Sequence, residues 1–139
     1  MQLDQTDKRI MAILERDGRI SAAELGRQIG LSRTAVQDRI SRLESNGTIT
    51  GYHARLSPSA DSLIRAVLFV KIAIRPCEKA LLWLSGLEGV QEVASLSGDI
   101  DAVVRCAVPD VSALTRLNDR IGASELISSS TSGIILRQL

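Results

Sequence analysis

Residues 21–43 read SAAELGRQIGLSRTAVQDRISRL, and the fold of the front half turns on them. Ser21 followed by Glu24 has the spacing of a capping box at a helix start. Ala22, Leu25 and Ile29 then recur on one helical face. Gly30-Leu31 makes a very short turn, and Ser32 caps a further helix whose inward face is Val36, Ile40 and Leu43. Asn46-Gly47 stops it. Two capped helices joined by a short glycine-containing turn form the helix-turn-helix pattern, in which the second helix reads DNA. With Val36, Ile40 and Leu43 inward, Thr34, Asp38 and Ser41 lie opposite, and Arg33, Gln37 and Arg42 flank the exposed face. Arginine and glutamine match the edges of guanine and adenine, and Ser/Thr hydroxyls suit phosphates. A solvated face of an ordinary three-helix bundle satisfies the same pattern, so the spacing alone leaves both readings open.

Upstream, Ile10, Ile13 and Leu14 line a first helix predicted from Asp4 to Asp17, closed by Asp17-Gly18. Downstream, residues 48–56 (TITGYHARL) place β-branched and aromatic residues on either side of Gly51, which predicts a short strand or hairpin, a wing. Residues 57–62 (SPSADS) are small and turn-forming and begin a linker over residues 57–65.

The hydrophobic period then changes. Residues 66–74 (AVLFVKIAI) read as a nearly continuous apolar strand. Pro76 starts a helix with an inner face of Cys77, Ala80 or Leu81, Leu84 and Leu87. Residues 89–96 give a second strand, Ser97-Gly98-Asp99 a turn, and Ile100, Ala102, Val104 and Cys106 alternate along a third. Pro109 starts a second helix with Val111, Leu114, Leu117 and Ile121 inward, and residues 127–136 form a last strand. The order β-α-β-β-α-β is the ferredoxin-like arrangement. Its sheet has one face under helices, and the doubly apolar pairs Val67 with Leu68 and Phe69 with Val70 predict a partner on the other. The chain is therefore α+β: a winged helix-turn-helix over residues 1–56, the linker, and a ferredoxin-like domain over residues 66–139.

Composition narrows the function. The 139 residues are 45% hydrophobic and 24% charged, as in ordinary globular chains. No apolar run approaches the ~20 residues of a membrane span, and the first residues lack a signal-peptide core, so a soluble cytoplasmic chain without a membrane partner is expected. One Phe, one Trp and one Tyr are poor stock for stacking on single-stranded nucleic acid. Cys77 and Cys106 read as small buried thiols, and with His53 the lone histidine no metal site is expected. The net charge is +1; residues 1–60 carry nine Lys/Arg against seven Asp/Glu, which favours an anionic partner for the front half. No G-x-G-x-x-G, Walker, G-x-S-x-G or H-E-x-x-H motif occurs, and no catalytic residue is expected. Asp99 and Asp101, two apart, point to opposite faces and do not pair as acid and base; either could receive an amine, and a turn aspartate is the plain reading of Asp99.

These residues together resemble the Lrp/AsnC family of bacterial and archaeal transcription regulators. The resemblance is carried by Leu3-Asp4 with Asp7, Asp17-Gly18-Arg19-Ile20-Ser21, Glu24-Leu25, Gly30-Leu31-Ser32, Arg39-Ile40, Arg42-Leu43-Glu44, Asn46-Gly47, Ile49 and Gly51-Tyr52. In the back half Gly98-Asp99-Ile100-Asp101 matches the family's Gly-x-x-Asp turn, and Ile134-Ile135-Leu136-Arg137 its last strand. The resemblance implies binding of double-stranded DNA, assembly into homodimers or higher oligomers, and a small effector, usually an amino acid, between dimers near that turn. It needs no cofactor. By position, Ser32, Arg33, Thr34, Gln37, Arg39 and Arg42 are the DNA-contact candidates; Gly98, Asp99, Asp101, Ser130 and Thr131 are the effector candidates. Arg39 falls near the rim of the buried face, where it is structural or a phosphate contact. Ile100 stands where members often carry an aromatic, which turns the expectation toward an apolar or sulfur-containing effector. Sirohaem decarboxylases are similar in fold and remain the enzyme alternative; an oligomeric adaptor without DNA affinity is another.

Overall fold

Side-chain caps fix where the three helices of the first unit begin. The computed structural model describes residues 2–57 and 59–139, which separate into two units on either side of position 58. Pro58, part of the expected linker, lies outside the described residues. Asp4 caps α1 (Gln5–Leu14), Ser21 caps α2 (Ala22–Ile29) and Ser32 caps α3 (Arg33–Ser45), each accepting the N–H three residues on. The reciprocal capping box occurs at Asp4 and Asp7; at α2 the Glu24 carboxylate turns to Arg27 and Gln28 instead. Helix α1 ends at Leu14, short of Asp17-Gly18, and beyond it the Arg16 and Asp17 N–H groups share the Ile13 carbonyl at 3.1 and 2.9 Å.

The turn between α2 and α3 is set by two glycines. Gly30 has φ 78°, and its N–H and that of Leu31 both reach the Gly26 carbonyl, at 2.8 and 2.9 Å. A Cβ on Gly26 would lie 2.5 Å from the Leu31 carbonyl oxygen, so the backbones approach as closely as glycine permits. Ile10, Leu25, Val36 and Leu43 form the buried centre, with Ile40 and Ile49 partly buried around it. The wing expected over residues 48–56 is not formed as a strand or hairpin. The Ile49 N–H bonds the Leu43 carbonyl at 2.9 Å and its side chain joins the helical core, while Tyr52 donates to Glu44 at 2.8 Å. The segment is held by the helices, and no second strand pairs with it among the described residues.

The second unit is a four-stranded antiparallel sheet in the order β2-β3-β1-β4, built from β1 (Ile64–Ile72), β2 (Val90–Ser95), β3 (Ala102–Val108) and β4 (Ile127–Ile134). Strand β1 begins inside the stretch expected as linker, since Ile64 and Arg65 already pair with Val108 and Ala107. Ala66, Leu68, Val70 and Ile72 alternate toward the helices with Ala102, Val104, Cys106 and Val108. They pack against Ala80, Leu84 and Leu87 at α4 (Glu78–Ser85), and against Leu114, Leu117 and Ile121 of α5 (Val111–Gly122). Neither proline starts its helix: Cys77 precedes α4, and Asp110 caps α5 by accepting the Ala113 N–H at 2.7 Å. Val111, in the first turn of α5 and just past the end of β3, stays 55% exposed instead of joining the inner face. Of the two thiols only Cys106 is buried; burial pushes it up, and Cys77 is half-buried. On the other face Phe69 stands 45% exposed, between Val103 and Thr131 on the neighbouring strands.

Gly26→Ala should lower the stability of the helical unit by about 1–3 kcal/mol, since backbone must move to admit the methyl. Gly122→Ala, where a Cβ meets nothing within 4 Å, should be neutral or gain up to about 1 kcal/mol. Urea unfolding followed by circular dichroism separates the two.

Candidate functional site

The first turns of α3 carry the predicted DNA-facing residues. Ser32 presents its Oγ to the Ala35 N–H at 3.1 Å and is itself exposed. Arg33, Thr34 and Gln37 are exposed, and none has a hydrogen-bond or ion-pair partner among the described residues. Three side chains able to read or grip a groove thus stand free on one helix end.

Arg39 and Arg42 are arranged differently. The Arg39 guanidinium donates to Asp4 Oδ2 and Asp7 Oδ1, both at 2.7 Å. Arg42 donates to both oxygens of Asp7, at 3.0 and 3.1 Å. Asp7, only 2% exposed at its side chain, is the sole buried charged group among the described residues, and it joins α1 to α3. Its backbone N–H together with Arg39 holds the Asp4 carboxyl below its ordinary 3.8, and the Asp4 and Asp7 carboxylates hold Arg39 above its ordinary value. Arg42 keeps 48% of its side chain exposed and can face an anion while tethered. Sequence reasoning assigned no role to Asp7. The signal was present in its spacing from Asp4, but the partners lie some thirty residues away in sequence. Gly26 was also missed, although a glycine inside a helical pattern points to close packing.

In the second unit the turn between β2 and β3 holds the other candidates. Gly98 has φ 114° and open space where a Cβ would stand. Asp99 is exposed and has no partner among the described residues. Asp101 is engaged: Oδ2 accepts the Ile72 N–H and Oδ1 the Arg75 guanidinium, each at 2.7 Å, and its side chain is 19% exposed. Ser130 donates to Asn118 Oδ1 at 2.9 Å, whereas Thr131 lies on the open sheet face opposite Phe69. Val70 pairs with Ala102 on one side and Ser130 on the other. Strand β1 therefore separates the turn from Ser130 and Thr131 by about 10 Å within one chain.

Three helices with a capped, exposed α3, joined to a ferredoxin-like unit, have the architecture of a helix-turn-helix regulator with a second, ligand-binding module. The model for the AsnC-type helix-turn-helix domain matches residues 3–44, and that for the Lrp/AsnC ligand binding domain residues 65–139. The leucine-responsive regulatory protein of Escherichia coli K12 is 38% identical over 121 residues, covering 83% of this chain and 73% of that protein. Among solved structures, an AsnC family transcriptional regulator from Agrobacterium tumefaciens has a TM-score of 0.75 at 28% identity, covering 99% of this chain and 92% of that one. A transcriptional regulator from Neisseria meningitidis, solved as an L-Met complex, shares the fold with a TM-score of 0.80 at 24% identity, over 99% and 92% of the two chains. The chain belongs to the Lrp/AsnC family of transcriptional regulators. No described helix is long and apolar enough to cross a membrane.

Asp7→Asn should cost about 1–3 kcal/mol in the helical unit, less than the ~3–5 for breaking a fully buried pair because both arginines reach water. Acid acts on the same cluster. The contribution of Asp4, whose folded value is depressed, is complete above about pH 4 and fades as pH falls below it. Urea melts from neutral to acid pH should show a shallower acid loss for Asp4→Asn than for the wild type.

Proposed function

We propose that this chain represses or activates transcription by reading double-stranded DNA through the exposed end of α3. Arg33 and Gln37 take base edges, while Ser32 and Thr34 take phosphates. Arg39 and Arg42 hold the helix in register, with the exposed part of Arg42 available to the backbone. The observation that carries this reading is the contrast between free Arg33 and Gln37 and the tethered arginines behind them. The chain acts as a regulator and assigns its residues to binding, with no chemical step. The cytoplasm, where a bacterial chromosome lies, is its proposed location.

The open sheet face around Phe69 and Val103 supports a homodimer at least, and two reading helices then meet half-sites about one helical turn or a multiple apart. The proposed effector is an amino acid with an apolar or sulfur-containing side chain, held where copies meet. Backbone at Gly98 receives its carboxylate, and Asp99 its ammonium. Asp101 shapes the turn by bonding β1. Ser130 and Thr131 come from another copy, since β1 stands between them and the turn within one chain. The similarity to a leucine-responsive relative supports the ligand class.

Arg33→Ala with Gln37→Ala should weaken binding to a selected operator by at least about tenfold and relax its sequence preference, since a lost bidentate contact costs roughly 1–3 kcal/mol. Fluorescence anisotropy against selected and scrambled duplexes measures both; unchanged affinity and preference would remove α3 from the reading.

For the effector, apolar amino acids at millimolar concentration should raise the melting temperature and alter the sedimentation of the wild type. Asp99→Ala should lose that response while keeping its own melting temperature; Asp101→Ala should lower the melting temperature without any ligand. A wild type that sediments as a monomer would overturn the assembly claim.

A further inference from the structure

A cavity of about 530 Å³ lies at the opposite end of β3 from the Gly98–Asp101 turn. The seven residues of β3 put the two places about 20 Å apart. Its volume is in the range of small-molecule sites, roughly 300–1,000 Å³. Its floor is kept low by small residues. Gly89, at φ 85°, accepts the Ala107 N–H at 2.9 Å, and a Cβ there would lie 3.1 Å from Val108 Cγ1. Val108, Ala113 and Leu117 give it an apolar wall.

Two arginines line the same cavity. Arg116 and Arg120, one turn apart on α5, share a helix flank. Unlike Arg27, Arg39, Arg42, Arg65 and Arg75, neither has an ion-pair or hydrogen-bond partner among the described residues. Glu88, the other charged lining residue, is also unpartnered, so the cavity has a net positive lining and all its charges are available. Guanidinium forks match carboxylates in two-pronged geometry, and the apolar wall beside them suits a hydrocarbon body.

We infer that this cavity is a second small-molecule site, separate from the proposed effector turn, that takes a carboxylate carrying an apolar or aromatic body. Arg116 and Arg120 hold the carboxylate, and the body lies along Pro109, Ala113 and the exposed edges of Val108 and Leu117. Glu88 distinguishes the two sources of such a ligand: an amino acid offers it an ammonium group, and a simple or 2-oxo carboxylate does not.

The test titrates the full-length protein with 3-phenylpropanoate, phenylalanine and the neutral 3-phenylpropanamide by calorimetry. Hydrogen exchange of residues 88–90 and 107–108 reports position. The carboxylate should bind with a Kd of about 1 mM or tighter and protect those segments, and the amide should not. Arg116→Gln with Arg120→Gln should weaken it at least about tenfold, a difference of about 1.4 kcal/mol. Tighter binding of phenylalanine, lost in Glu88→Gln, assigns the site to amino acids; equal or weaker binding assigns it to carboxylates without the amine. Absence of saturable binding, equal binding of the amide, or protection elsewhere would overturn the inference.

Discussion

The Asp7 carboxylate lies 2.7 Å from Arg39 and within 3.1 Å of Arg42, almost wholly removed from water. A lone carboxylate at such a depth would cost several kcal/mol, so α1 and α3 can occupy only the arrangement that supplies both guanidinium groups. The constraint matters because the apolar centre beside it is small. Ile10, Leu25, Val36 and Leu43 are its fully buried members, each contributing roughly 1.5–3 kcal/mol. A helical unit of this size has a small core, so a directional contact beside it carries more weight than in a larger domain. The ion cluster supplies that direction, and with it the side of α3 that remains exposed.

The same logic divides neighbouring acidic residues into builders and free groups. Asp101 closes the end of β1 through the Ile72 N–H and Arg75, and Asp99, two positions earlier, stays unbonded. On α3 the arginines split likewise, with Arg39 and Arg42 tied back and Arg33 free. A group whose hydrogen bonds are already satisfied has little to gain from a ligand, and an unsatisfied exposed one has more. Arg33 and Asp99 are, in this sense, left unused by the fold, and the proposed contacts draw chiefly on such groups.

The sheet of the second unit sets how ligand and assembly could communicate. Its helix-covered face is a closed apolar core, and its open face presents Phe69 and Val103 beside polar β4. A molecule held where copies meet changes DNA affinity only by its differential affinity for the two assemblies. A molecule in the cavity beside α5 contacts the end of β3 far from the turn. The two proposed positions lie at opposite ends of that strand.

Much of this was written in local sequence. Ser21, Ser32 and Gly30 mark helix ends because a hydroxyl cap and a left-handed residue act within a few positions of themselves. The alternation of Ala102, Val104 and Cys106 gives the buried face of β3 for the same reason, a period of two that depends on the backbone alone. What lay beyond local reach went unseen or was misplaced. Residues 48–56 have the composition of a hairpin, yet Ile49 and Tyr52 are taken by the helices. Val111 fits the apolar stripe of α5, yet it falls just past the end of β3 and stays exposed. Asp7 resembles any acidic residue of a first turn until α3 brings Arg39 and Arg42 against it. The sequence by itself determined most of the elements, since caps, turns and periodicity are local, and its resemblance to a known family pointed to the kind of protein. Only the tertiary structure decided which charged side chains are fasteners and which are free, because an ion pair between distant segments exists only once packing has brought them together and excluded water.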